Sequence, residues 1–303
     1  MRTPASAFLL LVASSCANPI SNLPFYEDAE LVAALPSEAR FEVPSNIRLA
    51  RVGTSTALAD AVAASADLQS VVETLFRSGE VLRAAEPDVR TDVGREWDGV
   101  QAAGDLGGDR FTWWVRGSVV RVTEGGDATW TIEAASDQGG TYRPIGQGRH
   151  DPGGYGDGSW DLEAMVQVLI EGQDIESDPV GVLSFDYEDQ LEDSGVRSVT
   201  LEHTRGAEVL DTWTVVGSIA LAWFAPSTLT EPALPGVFQV FHDDNGGWAI
   251  GEIYDADEAL SVLTCWSPVG DTVYAEGTLF DEGHGAVTAA MGVEDDCSTP
   301  NPF

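Results

Sequence analysis

From about Phe111 to Phe280, apolar and polar residues alternate in short runs broken by turn residues. That period of two restricts this part of the chain to half-buried β-strands. In "ATWTIEA", Trp130, Ile132 and Ala134 share one face, with Thr129, Thr131 and Glu133 on the other. "GVLSFDYED" sets Leu183, Phe185 and Tyr187 against Ser184, Asp186 and Glu188, and "RSVTLEH" pairs with it through Val199 and Leu201. One apolar face and one wet face indicate antiparallel sheet. "VTEGGDATW" and "FHDDNGGWAIGEIY" carry hairpin turn residues. Further strands are expected at Val209–Val216, Ser218–Trp223, Val237–Phe241, Trp248–Tyr254, Leu260–Cys265 and Thr272–Phe280. No regular βαβ pattern appears, which disfavours doubly wound folds.

The preceding segment has a helical period. "TALADAVAASA" is Ala-rich, and in "ADLQSVVETLFRSGEVLRAAEP" Leu68, Val71, Val72, Leu75 and Phe76 form one apolar stripe. Ser65 or Asp67 suits its N-cap, and Pro87 ends it. The expected fold class is α+β, mainly β. We expect a curved antiparallel sheet or partial barrel of about ten strands with the N-terminal helices packed on one face. A β-sandwich with a helical cap is the alternative. The expected organisation is a signal peptide over 1–15, a tether and irregular segment over 16–50, a helical segment over 51–105 and an antiparallel β domain over 106–303.

Charge narrows the function. The chain of 303 residues has 50 acidic and 15 basic residues, a net charge of −35, and no lysine. Walker-type nucleotide loops, kinase sites, Schiff-base enzymes and Ser-Lys hydrolases all need a lysine. Nucleic acid needs a cationic surface that this chain lacks. Anionic membranes repel it, so membrane contact requires a covalent or apolar anchor. The last Arg is Arg205, and 16 Asp and Glu follow it. A solvated acidic exterior explains this, and divalent-cation binding or a basic partner is the sharper reading.

The chain begins MRTPASAFLLLVASSCANP, with Arg2, a short apolar run and small residues, the layout of an export signal. "ASSC" resembles the bacterial lipobox, which makes Cys16 an acylated N-terminus, although Ala13 stands where Leu is usual. Cleavage after Ala17, with loss of Cys16, is the alternative. Ala17 rather than Asp after the Cys implies the outer membrane by the usual sorting behaviour, with a soluble periplasmic or secreted protein as the other outcome. With Cys16 acylated or removed, Cys265 and Cys297 are the remaining pair, and export permits a disulfide. It closes a loop of about 33 residues, worth roughly 3–4 kcal/mol by loop entropy. Two buried free thiols are the alternative.

Candidate sites are few. "HDPGGYGDGSWDLE" offers Asp157, Asp161 and Glu163 as oxygen ligands for calcium, without helix-loop-helix spacing. A strand with these three and Ser159 on its solvent face, and Trp160 and Leu162 inward, explains the same residues. "FHDDNGG" brings His242, Asp243 and Asp244 into a turn. His150, His203, His242 and His284 are scattered and lack helical i, i+4 partners for zinc. There is no G-x-S-x-G elbow. The tryptophans of the β region fit a core, or a concave surface that cradles a lipid or sugar.

The lipobox-like start, the helix near 67–82, "VRTDVGREWDGV", "DGSWDLEAM", "GVLSFDYED" and "TCWS" with a late final Cys together resemble a group of uncharacterised secreted lipoproteins of myxobacterial type. The resemblance covers about residues 65–303. It implies an extracytoplasmic location and a β domain, and supplies no activity. The leading expectation is an envelope-anchored lipoprotein with a non-enzymatic binding or structural β domain. No cofactor is expected beyond calcium, and a lipid, glycan or envelope protein is the expected partner. The alternatives are a periplasmic lipid or lipoprotein carrier and an envelope carbohydrate-active hydrolase.

Overall fold

The computed structural model describes residues 29–41, 45–106, 109–121, 123, 125–171, 181–189, 197–216, 220–227, 234–255, 258–277 and 291–292. Cys16, Cys297 and His284 lie outside them.

The two helical stretches of the sequence are one helix, α1 (Thr56–Ala84). Its cap is Ser55, whose Oγ accepts from the Leu58 amide at 3.2 Å, in place of Ser65 or Asp67. The Ala-rich stretch has high helix propensity and no breaker, so nothing restarts the helix at Ser65, which is fully buried. The expected stripe is the buried face: Leu68, Val72, Leu75 and Phe76 are buried and Val71 packs beside them.

The described residues are α+β and mainly β, with 15 strands in a single open antiparallel sheet, in strict sequence order. These are β1 (Val89–Arg90), β2 (Gly94–Leu106), β3 (Asp109–Arg121), β4 (Ala128–Ala135), β5 (Arg143–His150), β6 (Tyr155–Asp161), β7 (Val182–Asp189) and β8 (Arg197–Arg205). They continue as β9 (Glu208–Val216), β10 (Ala220–Ser227), β11 (Leu234–Asp243), β12 (Gly246–Asp255), β13 (Glu258–Trp266), β14 (Thr272–Gly277) and β15 (Met291–Gly292). The described residues hold no second sheet, and the strands outnumber the expected ten.

Three differences from the sequence reading have physical causes. The sheet begins at Val89, inside the expected helical segment 51–105. A bulge between Trp97 and Val100, with Gly99 at φ 74°, shifts the phase of β2 and hides its alternation. Strands β5 and β6 carry glycine at the inward positions 146, 148, 156 and 158, so β5 shows no apolar alternation, whereas β6 keeps the expected strand with Trp160 inward over 157–161. The chain also leaves the sheet at Asp161. Leu162 and Glu163 belong to helix α2 (Leu162–Leu169), capped by Asp161 Oδ1 on the Ala164 amide at 2.9 Å.

The inward glycines make room for rings. Gly148 and Gly158 are direct cross-strand partners, flanked by Trp130 and Phe185 in the same row. A Cβ on Gly158 would come within 2.6 Å of Phe185 and 2.8 Å of Trp130. Those two rings stack over this glycine floor, 6.1 Å apart and 8° from parallel. Phe76 of α1 meets Trp160 and Phe185 with ring centroids 5.6 and 5.4 Å away. The C-terminal end of α1 is fixed by two indoles: Trp113 Nε1 donates to Ser78 Oγ at 3.0 Å, and Trp97 Nε1 to the Ala85 carbonyl at 3.1 Å.

Residues 29–50 differ from the expected irregular tether. Leu31, Ala34, Leu35, Phe41 and Ile47 are buried in the main core. Arg83 Nη1 holds this strap by donating to the carbonyls of Val32, Ala33 and Leu35 at 3.1–3.3 Å. Phe41 packs on Phe76 with ring centroids 3.9 Å apart and the rings tilted by 33°. A smaller cluster lies on the opposite sheet face, where Phe241, Trp248, Cys265 and Tyr274 are cross-strand neighbours, all buried.

Candidate functional site

The inner sheet face is occupied by α1, α2 and the strap. Trp97, Trp113, Trp130 and Trp160, expected as core or as a ligand cradle, are buried against them. The polar recesses lie elsewhere.

The first opens on the outer face of β5–β8. Antiparallel register places Arg149, Asp157, Asp186 and Thr200 in one cross-strand row. Arg149 Nε donates to Asp157 Oδ2 at 2.6 Å, and this bond holds the guanidinium pKa above its ordinary value. Two residues along the same β6–β7 ladder, Tyr155 donates its hydroxyl to Glu188 Oε1 at 3.1 Å. Asp151 accepts from the Gly153 and Tyr155 amides at 2.7 and 3.1 Å, shaping the β5–β6 turn. With Asp127 and Ser198 these groups line a recess of about 330 Å³. Partial burial pushes the Asp186 carboxyl up, and the Asp157 charge adds to that, while a hydrogen bond from Thr200 opposes it. One guanidinium among five carboxylates favours cationic or hydrogen-bond-donating ligands and repels anions.

Of the three residues expected at a calcium site, Asp157 lines this recess, Asp161 caps α2 and Glu163 stands in the first turn of α2. Four strand residues span about 13 Å, whereas calcium gathers its oxygens at about 2.3–2.6 Å. Among the described residues no group of three or more His, Cys, Asp or Glu is placed to hold a metal ion. Asp127, Asp151, Asp186 and Glu188 are the recess residues that sequence reasoning missed as a site. Asp186 and Glu188 are readable as outward positions, but only register brings them beside Asp157 and Tyr155.

The second recess lies at the end of the inner face. His242, Gly247 and Trp266 are cross-strand partners on β11, β12 and β13. Gly247 lets the Trp266 indole cross the middle strand, since a Cβ there would stand 2.9 Å from its Nε1 and Cζ2. The indole then donates to His242 Nδ1 at 2.9 Å. An indole N–H only donates, so Nδ1 is the unprotonated nitrogen and Nε2 carries the proton. Burial keeps the imidazole pKa below its ordinary value, with Asp243 and Asp244 pulling the other way. In this tautomer neither ring nitrogen has a lone pair for a metal. The recess is about 320 Å³, lined by Ser45, Asn46, Leu49, Arg51, His242 and Asp244 among others.

His150 is used differently: its Nδ1 lies 2.9 Å from the Tyr187 hydroxyl, which also accepts from Arg40 Nη1 at 3.1 Å. This ties the strap to β5 and β7. Comparison with known proteins finds no matching family model, no matching curated protein and no matching solved structure.

Proposed function

We propose that the chain is an exported lipoprotein, held at the outer membrane by an acylated Cys16, and that its β domain is a non-enzymatic binding module presenting the outer sheet face. The observation that carries this reading is the division of one sheet into two faces. The inner face is covered by α1, whereas the outer face of β3–β9 runs Ser118, Thr131, Gln147, Ser159, Ser184, Glu202 and Thr212 in a single cross-strand row. The acidic recess adjoins that row, and its charge suits a basic envelope partner. We further propose that the sheet curves around α1, which packs against both β2 and β10.

Cys16→Ser is expected to move the protein from the membrane fraction to the soluble one; retention in the membrane refutes the anchor. Binding of an Arg-rich peptide is expected to weaken in an Asp157→Asn/Asp186→Asn variant and with added salt. Equal binding by the variant refutes the outer-face site. We further propose that Cys265 pairs with Cys297. Cys265 faces Tyr274, which faces Gly292, so β15 brings the chain to the strand next to Cys265 just before residue 297. Non-reducing peptide mapping tests it, and a free Cys297 thiol refutes it.

One observation favours a second reading, glycoside hydrolysis. Burial raises the Asp186 carboxyl pKa, and its cross-strand neighbour Asp157 accepts from Arg149, so two carboxylates in unlike surroundings share one recess, the kind of pair such chemistry uses. Turnover of chromogenic glycosides that disappears in Asp186→Asn supports it, and no turnover by the native protein ends it.

A further inference from the structure

The His242 recess lies where the helical turn Ser45–Arg48 and the residues after it meet the β11–β12 and β13–β14 turns. His242 is 7% exposed, a buried polar side chain at the edge of a cavity. Its Nδ1 is taken by Trp266, which leaves Nε2–H as the ring's remaining polar group. Among the described residues that donor has no partner, and the ring lines the recess. A buried donor fixed in direction by an indole on the far side of its ring is a preorganised hydrogen-bond site.

The surrounding groups define what it accepts. Asp243 and Asp244 stand beside the imidazole in a chain of net charge −35, so an anion is repelled. Arg51 lines the same recess, which disfavours a compact cation. The ligand therefore offers a neutral oxygen to Nε2–H and to Arg51, and hydroxyl donors to the aspartates. Asn46 and Ser45 can do either, and Leu49, 72% exposed, together with Pro268 gives an apolar wall. Neighbouring hydroxyls on a carbon ring meet all of these demands together. We propose that this recess binds a neutral polyhydroxy ligand, a monosaccharide or the terminal sugar of a glycan, with His242 Nε2–H as its central donor. The recess lies apart from the outer-face row, and the inference depends on neither the Cys16 anchor nor the acidic recess.

The test uses the 15N-labelled full chain and follows the Trp266 indole N–H, assigned by Trp266→Phe. The probes are glucose, galactose, mannose and N-acetylglucosamine, with glycine and acetate as charged controls. At least one sugar is expected to shift the indole signal saturably, with Kd on the order of millimolar. His242→Gln keeps an N–H near the Nε2 position and is expected to hold affinity within about threefold, whereas His242→Phe loses about tenfold. Asp244→Asn, at an exposed position, is expected to lose about threefold and decides the matter if His242→Phe does not fold. The proposal is overturned if no sugar shifts the signal up to ~100 mM, if acetate or glycine binds tighter than every sugar, or if Asp244→Asn and the foldable His242 variants all bind equally well.

Discussion

The docking of α1 rests on a notch at Gly117, and a double-mutant cycle measures it. Gly117 of β3 stands between Trp97 and Ile132 in its row. A Cβ there would overlap Leu82 Cδ1, with Leu82 Cγ and Cδ2 each 3.5 Å away, and Leu82 is fully buried. Ordinary carbon contacts lie at about 3.5–4.0 Å, so the new methyl displaces either the leucine or the helix. Overpacking of this kind costs about 1–3 kcal/mol. Replacing glycine in a strand otherwise gains roughly 0.5–1 kcal/mol, which leaves Gly117→Ala destabilised by about 1–2 kcal/mol. Leu82→Ala empties the notch instead and is expected to cost about 2–5 kcal/mol. In the double variant the alanine methyl enters space that Leu82 left. The clash vanishes and about one methyl of burial returns, near 0.8 kcal/mol. The double variant is therefore expected to be more stable than Leu82→Ala, and because the glycine replacement gain is common to both backgrounds the favourable coupling is about 2–4 kcal/mol. Urea unfolding followed by tryptophan fluorescence and circular dichroism, compared at a common m-value, measures each corner. Additivity within about 0.5 kcal/mol, or a stabilising Gly117→Ala, refutes the notch.

Trp113→Phe removes the indole donor from the buried Ser78 hydroxyl and is expected to cost about 1–3 kcal/mol in the same assay; Trp113→Phe/Ser78→Ala should recover part of that loss, and no recovery refutes the bond's role. Burial lowers the His242 pKa in the folded state, so its contribution is complete above the unfolded value of about 6.5 and is lost as pH falls through it toward the folded one. Glu38 and Asp186, raised by burial, act in the opposite sense and cancel between variants that retain both. The stability advantage of the native chain over His242→Gln is thus expected to shrink between about pH 8 and pH 5, and an advantage that grows toward acid refutes the assignment. Because Asp161 is occupied in capping α2, calcium at ~1 mM is expected to leave the thermal midpoint unchanged, and a clear rise refutes that reading.

What was legible in this sequence follows from where side chains carry the pattern. β4, β7 and β8 are readable because Trp130, Ile132, Leu183, Phe185, Val199 and Leu201 mark their inward positions with large apolar groups. β5 has the same geometry and stayed hidden, and β6 was legible only through Trp160, because their other inward positions are glycines that receive rings from neighbouring strands. The strap escaped for a related reason: Pro36 and Pro44 cut Leu31, Leu35, Phe41 and Ile47 into pieces too short to show a sustained period, yet each is buried in the main core. The sites depend on the same kind of absence. His242 and Trp266 are 24 residues apart, and "DDNGGW" reads as a turn, with Gly247 as one of its turn residues. In the folded chain Gly247 is the open position over which the indole reaches the imidazole and sets its tautomer. A missing side chain leaves no period and no charge in a sequence, and its meaning depends on which residue stands opposite. In a sheet whose strands follow in sequence order, register alone supplies that neighbour. Gly247→Ala tests whether the glycine holds His242 in place: its Cβ would overlap the Phe241 carbonyl oxygen and stand 2.9 Å from the indole, so it should loosen the hairpin and shift the Trp266 indole signal together, and an unmoved indole would make Gly247 a turn residue and nothing more.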